Sequence, residues 1–272
     1  MLFLAVCFII TGMIVGILSG LFGLGGGSTI VPLMMVFISV YEPSFSANAM
    51  HIAVATSLFV MIFTSTITTY SHHRANNIIW RVAIPIKYGV IIGAILGAIL
   101  ASFLSSKVLK IFFIIFLIYA VIKWAVKSFS KKSKSNNISQ RIEPKMALSI
   151  IYGGFTGAIA VLLGIGSSVM IVPFLKHKNF TMSQSSAIAA AVTPFIALLG
   201  AITYIVTGLS DSMLPKLCLG YVYIPATVGM ILGSLIGVPI GTRLSVKITP
   251  IIQNIIYFIF LIIILIIMLV NS

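Results

Sequence analysis

The sequence predicts an all-α polytopic membrane protein made of two homologous repeats, and three observations predict it. Composition is the first: 60% of the 272 residues are hydrophobic and 7% are charged, against roughly a quarter charged in a soluble domain. Length is the second. Apolar runs of the ~20 residues that a bilayer crossing needs recur from end to end, and Ile251 to Val270 is apolar apart from Gln253 and Asn254. The third is a glycine-rich element that occurs twice. Gly16-Ile-Leu-Ser-Gly20-Leu-Phe-Gly23-Leu-Gly25-Gly26-Gly27-Ser28-Thr29-Ile-Val-Pro32 returns as Gly157-Ala-Ile-Ala-Val-Leu-Leu-Gly164-Ile-Gly166-Ser167-Ser168-Val-Met-Ile-Val-Pro173. At a constant offset of 141, Gly12 to Pro32 and Gly153 to Pro173 agree at 8 of 21 positions.

Helix is the expected conformation throughout, because in lipid only helices and closed barrels satisfy their backbone and the chain shows no period-two alternation. Ten apolar segments can be drawn, at 2–22, 28–41, 48–71, 82–103, 108–127, 146–163, 168–176, 184–208, 217–241 and 247–270. The first lacks a basic stretch before its apolar run and leads straight into the glycine element, so it reads as a retained span. The second and seventh are too short to cross ~30 Å of hydrocarbon as full helices. Half-helices, re-entrant hairpins and strongly tilted spans all fit them, which gives eight to ten membrane-embedded segments broken at the glycine elements. The third and eighth carry matching small-residue patches, Ala53-x2-Thr56 and Ala190-x2-Thr193. The fourth and ninth match as Ile84-Pro85-x3-Gly89-x3-Gly93-x3-Gly97 and Ile224-Pro225-x3-Gly229-x3-Gly233-x3-Gly237. Such small-xxx-small stripes are expected to pack helix on helix. The chain divides into a first repeat at 1–127, a basic linker at 128–145 and a second repeat at 146–272.

The formal net charge is +14, but the basic residues lie in short loops and no recognition fold accompanies them, so nucleic acid is not an expected partner. The densest run, Lys123 to Lys145, suits a cytoplasmic connector beside anionic lipid. If the short segments are re-entrant, the halves are parallel and Lys and Arg divide 11 to 6 across the membrane. If they carry the chain across, the halves are inverted and the division is 14 to 3, leaving Lys107, Lys110 and Lys216 on the poorer side. The positive-inside rule favours inverted repeats with both termini outside. Cys7 and Cys218 lie far apart without metal-ligand spacing and read as small buried side chains.

The glycine elements are where chemistry is expected. Each glycine in a helix costs about 1 kcal/mol relative to alanine, so Gly25-Gly26-Gly27 disfavours continuous helix and lets backbone N–H groups approach a ligand closely. Ser28 stands in the N-cap place, Thr29 adds a hydroxyl, and a helix starting there turns its positive end into the break, which suits an anion. Gly164, Gly166, Ser167 and Ser168 offer a similar geometry. Tight packing with a kink is the alternative reading of both elements. Thr56-Ser57 and Thr193-Pro194 sit at equivalent places in apolar helices; their hydroxyls either donate to an oxyanion or bond back to their own helix. Pro32, Pro173 and Pro194 are expected helix-break or structural positions. Lys87 and Arg243 fall near helix ends, where snorkelling to the interface is the leading reading. His51, just inside the third segment, is the one titratable side chain expected near the site, and a proton-linked role competes with simple packing.

The only acidic residues are Glu42, Glu143 and Asp211, all in expected loops. A buried carboxylate relay and a cation substrate are both disfavoured by that. Enzymatic readings fail as well: no H-E-x-x-H, no pair of intramembrane aspartates, no Walker A, and no strand context for a dinucleotide site. No metal or cofactor is expected.

The run Gly20-Leu-Phe-Gly23-Leu-Gly25-Gly26-Gly27 with Val31-Pro32, its second copy, Ala53-Val-Ala-Thr56-Ser57, and Pro85 before a glycine ladder resemble the TauE/SafE family across essentially the whole chain. That family comprises sulfite and organosulfur exporters of bacterial plasma membranes, with relatives in archaea and plants. The resemblance implies a multi-pass plasma-membrane protein that exports a small sulfur-containing anion. The expected mechanism is secondary transport with alternating access, and an anion channel or passive uniporter at the same site is the alternative. The expected partners are the anionic substrate, the lipid bilayer and, for a dimeric carrier, a second copy of the chain. The expected substrate-binding set is Gly23, Gly25, Gly26, Gly27, Ser28, Thr29, Thr56, Ser57, Gly164, Gly166, Ser167, Ser168 and Thr193.

Overall fold

The computed structural model describes residues 2–22, 26–41, 43–129, 142, 144–211, 214 and 217–270. Gly23 and Gly25 lie outside the described residues, as do 130–141 of the basic linker. Ten helices follow one another among the described residues: α1 Leu2–Phe22, α2 Gly27–Tyr41, α3 Ala49–Arg74, α4 Trp80–Phe103, α5 Ser106–Phe129, α6 Met146–Leu163, α7 Ser168–Lys176, α8 Met182–Gly208, α9 Ile224–Lys247 and α10 Pro250–Val270. Six of them, α1, α3, α4, α6, α8 and α9, are long and apolar enough to cross a membrane. At ~1.5 Å per residue, the 9 residues of α7 cannot do so alone.

Local chemistry accounts for the ends. Thr181 opens α8 with a capping box: its Oγ1 accepts from the Gln184 N–H at 3.2 Å while the Gln184 Oε1 accepts from the Thr181 N–H at 3.3 Å. α6 stops at Gly164, whose φ of +63° belongs to the left-handed region, and the Ile165 N–H donates back to the Ala160 carbonyl at 3.0 Å.

Two expectations need correction here. The segment expected as helix from 217 opens instead with a two-stranded hairpin, β1 Cys218–Leu219 and β2 Val222–Tyr223, paired Cys218 to Tyr223 and Leu219 to Val222. Its turn holds Gly220 at φ +54°, so the chain reverses before α9 starts at Ile224. Nor does Pro194 break α8, which runs on to Gly208. Proline removes the N–H that would bond the Ala190 carbonyl, and the Thr69 hydroxyl of α3 donates to that carbonyl at 2.8 Å instead. A neighbouring helix supplies what the proline took away.

Packing follows the glycine stripes. α1 lies along α9 and α4 lies along α6, the two most extensive helix contacts. Gly12, Gly16 and Gly20 of α1 face the backbone at Met230, Ser234 and Val238 of α9, and Gly89, Gly93 and Gly97 of α4 face Ile150, Gly154 and Ala158 of α6. Without a side chain between them the backbones approach closely, which is how helices gain dispersion energy where lipid removes the hydrophobic drive. The opposite faces of α4 and α9 present Leu96, Ile99, Leu100, Leu235 and Ile236 outward, as lipid contact requires. At the centre α3 packs against α8; α3 also touches α2 and α9, while α8 touches α7 and α4. Exchanging α1–α5 for α6–α10 interchanges these contacts in pairs, and maps α3 against α8 and α5 against α10 onto themselves.

Candidate functional site

Both helix breaks fall at the glycine elements, between Phe22 and Gly27 and between Leu163 and Ser168. Gly26 holds φ +83°, a conformation costing a side-chain-bearing residue roughly 1–2 kcal/mol. Its carbonyl accepts from the N–H groups of Thr29 at 3.1 Å and Ile30 at 3.2 Å. Gly26 is therefore the N-cap of α2, and Ser28, expected there, lies inside the first turn. In the second half Ser167 occupies the matching place, its carbonyl accepting from Met170 at 3.1 Å and Ile171 at 2.9 Å. Pro32 and Pro173 sit within α2 and α7, and both helices continue past them. The breaks belong to the glycines, not to the prolines.

The two breaks meet. A Cβ placed on Gly27 would fall on the Gly164 carbonyl oxygen and on Met61 Sδ, and would stand 3.2 Å from Ile165 Cα. Ser57 of α3 bridges the same point: its hydroxyl donates to the Gly164 carbonyl at 2.7 Å, with the Gly27 carbonyl at 3.4 Å. Gly26, Gly27, Ser57, Gly164 and Met61 thus form one junction at which both breaks abut α3. Ser57→Ala takes from the Gly164 carbonyl the hydroxyl that meets it. The expected cost is about 1–3 kcal/mol, read as a lowered melting temperature of the detergent-solubilised protein.

The expected hydroxyls divide into two groups. Thr56 accepts from the Tyr223 N–H at 3.1 Å, tying α3 to the start of α9. Thr193 donates to the Ala189 carbonyl at 2.9 Å, and Ser167 Oγ lies 2.9 Å from both that carbonyl and Thr193 Oγ1. With Ser57, these side chains link helices to one another or bond back to their own helix. Ser28 and Thr29 form the other group. They are 2% and 3% exposed, and their hydroxyls have no hydrogen-bond partner. Ser19, fully buried one turn before the end of α1, is in the same condition, and its Cβ lies 3.8 Å from where a Gly26 Cβ would stand. The sequence offered a signal for Ser19, a lone hydroxyl in an apolar run just before the glycines, but nothing that set it apart from a packed serine. Ser168 is buried at the start of α7.

His51 is not brought to this junction. It sits six residues before Ser57, about 9 Å along α3, stacked on Tyr221 at 5.1 Å and 6.1 Å from the Tyr204 ring. Asp211 closes that end, accepting from the Asn48 amide at 2.7 Å and from the Tyr221 hydroxyl at 3.2 Å. Burial, then the Asp211 carboxylate, push the Tyr221 phenol above its ordinary range. No group of three or more His, Cys, Asp or Glu side chains suited to a metal occurs among the described residues.

Comparison with known proteins adds the following. The family model described as "Sulfite exporter TauE/SafE" matches residues 8–269. A "Probable membrane transporter protein" of Haemophilus influenzae is 27% identical over 229 residues, 84% of this chain and 83% of the relative. Another of that description from Methanocaldococcus jannaschii is 30% identical over 224 residues, 82% of this chain and 80% of the relative. A third from Bacillus subtilis is 37% identical over 76 residues, 28% of this chain and 25% of the relative. No solved structure matches the chain.

Proposed function

We propose, for a chain that belongs to the sulfite exporter TauE/SafE family, that it exports a small sulfur-containing oxyanion through a site at the N-terminus of α2. The protein is a multi-pass membrane transporter, not an enzyme, as its family and its relatives are; substrate, site and mechanism are the reading advanced here.

One observation carries it: Ser19, Ser28 and Thr29 hold buried hydroxyls without partners around the Gly26 turn. A buried polar group left unsatisfied costs about 1–3 kcal/mol, so two at the start of α2 and a third near the end of α1 are retained where a ligand completes them. A helix N-terminus selects negative charge. The chain carries three acidic residues, Glu42, Glu143 and Asp211, and Asp211 lies outside the helices, so the ligands a cation would need are scarce. Sulfite or a sulfonate accepts three such donors in a way a carrier of neutral solutes would not require.

Alternating access at this junction would come from two inverted repeats rocking about α3 and α8. Support comes from the contact pattern that maps onto itself when the halves are exchanged and from the 14-to-3 division of Lys and Arg.

The test is counterflow of labelled sulfite in proteoliposomes for Ser19→Ala, Ser28→Ala and Thr29→Val. Because no protein partner is lost, each should keep or slightly raise its melting temperature while raising KM about tenfold, the equivalent of ~1.4 kcal/mol. Unchanged KM in all three would remove the α2 site; lowered stability would return these hydroxyls to a structural role.

A further inference from the structure

We propose that the cavity between α3, α4 and α8 is a second anion site, distinct from the α2 junction, where Lys87 first captures the substrate. The cavity, open to the surface, has a volume of about 530 Å³, and its lining includes Thr69, Tyr70, His73, Trp80, Lys87 and Phe195. The idea rests on the anion reading above.

Lys87 lies seven residues into α4, about 10 Å from its start at Trp80. A lysine that merely snorkels extends toward the headgroups and away from neighbouring helices. Lys87 instead reaches the neighbouring helix, its Nζ 5.3 Å from the Phe195 ring centroid of α8 and 5.1 Å from that of its own neighbour Tyr88. Among the described residues no carboxylate lines the cavity. An ammonium held over ring faces keeps its N–H donors available, so the charge remains free to meet an incoming anion. The lining hydroxyls do not compete for that role: Thr66 donates to the Ile62 carbonyl and Thr69 to those of Ser65 and Ala190. The remaining wall is apolar and aromatic, which fits a sulfonate carrying a short organic group better than a bare halide.

Position gives the site its role. Its lining from α8, Ala191, Val192, Pro194 and Phe195, comes from the helical turn that carries Thr193, and Thr193 Oγ1 lies 2.9 Å from Ser167 Oγ at the start of α7. One turn of helix separates the cavity from the second glycine element. The lining residues His73 and Trp80 flank the α3–α4 connection, which the end of α3 at Arg74 and the start of α4 with Arg81 put on the Lys- and Arg-rich side of the inverted arrangement, the cytoplasmic one. An exporter needs its first contact with the anion on that side.

Trp80 is the reporter for the test, in a Trp124→Phe background that leaves it the only tryptophan. Propanesulfonate is titrated into detergent-purified protein while Trp80 fluorescence is followed. A saturable change is expected, weakened about tenfold in Lys87→Met, which keeps the apolar stem, and largely retained in Lys87→Arg. Saturation at equal affinity in Lys87→Met, or no response in the parent protein, overturns the proposal. A parallel titration with short-chain phosphatidylglycerol separates a lipid headgroup from a free anion: a response to the lipid alone also overturns it. Failure of the α2 reading looks different, since it shows as unchanged KM in the three hydroxyl variants while the Trp80 response persists.

Discussion

Gly93→Val is expected to yield no monodisperse protein, while Gly154→Ala, directly across the α4–α6 contact, is expected to be tolerated. A Cβ on Gly93 would enter the Gly154 carbonyl and stand 2.6 Å from its carbon and 2.8 Å from its Cα. Those are backbone atoms of α6, which can yield only if the whole helix moves. Moving it also displaces Gly89 from Ile150 and Gly97 from Ala158, so one substitution loosens the entire interface. Overpacking a core with added methylenes costs typically 1–3 kcal/mol, and a rigid backbone neighbour puts this case at or above about 3. A Cβ on Gly154, by contrast, meets the Gly89 carbonyl oxygen at 3.6 Å, an ordinary contact, and Ala is the better helix former by about 1 kcal/mol. Size exclusion of fluorescently tagged protein from detergent extracts reads both. Gly233→Val should fail in the same way, since its Cβ would enter the Ile9 carbonyl and stand 2.6 Å from the Met13 nitrogen. Wild-type elution of Gly93→Val would mean that α4 and α6 do not pack by their glycine faces.

Why the stripes were legible and the hydroxyls were not follows from what each depends on. A glycine every four residues opposite Ile and Leu specifies a lipid face and a packing face within one helix, so Gly89 to Gly97 could be read locally. The breaks were equally local, because Gly25-Gly26-Gly27 disfavours helix whatever surrounds it. The hairpin at Cys218–Tyr223 escaped because its strands are apolar and two residues long, indistinguishable by period from a helix start; only the left-handed Gly220 sets them apart. Partners decide the hydroxyls, and partners are remote. Ser57 and Gly164 are 107 residues apart, Thr56 and Tyr223 167, and no spacing rule connects them. In an apolar helix a bracing serine and a binding serine look alike until their acceptors are known. The same holds for Lys87: its place near a helix end suggests snorkelling, and the Phe195 ring that lies 5.3 Å from its Nζ belongs to another helix.

Gly27→Val is expected to reduce sulfite counterflow about a hundredfold while leaving the protein folded, because displacement of a site by ~1 Å can cost that much. Gly27 is where the first turn of α2 touches the second break, and its Cβ would meet the Gly164 carbonyl and Met61 Sδ. Valine there pushes the turn carrying Ser28 and Thr29 away from the junction. Neither the α1–α9 nor the α4–α6 interface includes Gly27, so the frame that holds the bundle should survive, and size exclusion confirms or denies that directly. The two neighbours can also be told apart. Met61 is flexible and can swing aside, whereas the Gly164 oxygen is fixed by the end of α6 and by the Ser57 hydroxyl. If contact between the breaks is what transport needs, Gly27→Ala should lose activity and the added change Met61→Ala should not restore it. Recovery in the double variant would place the constraint on the sulfur atom and leave the meeting of the two glycine elements as packing without a function.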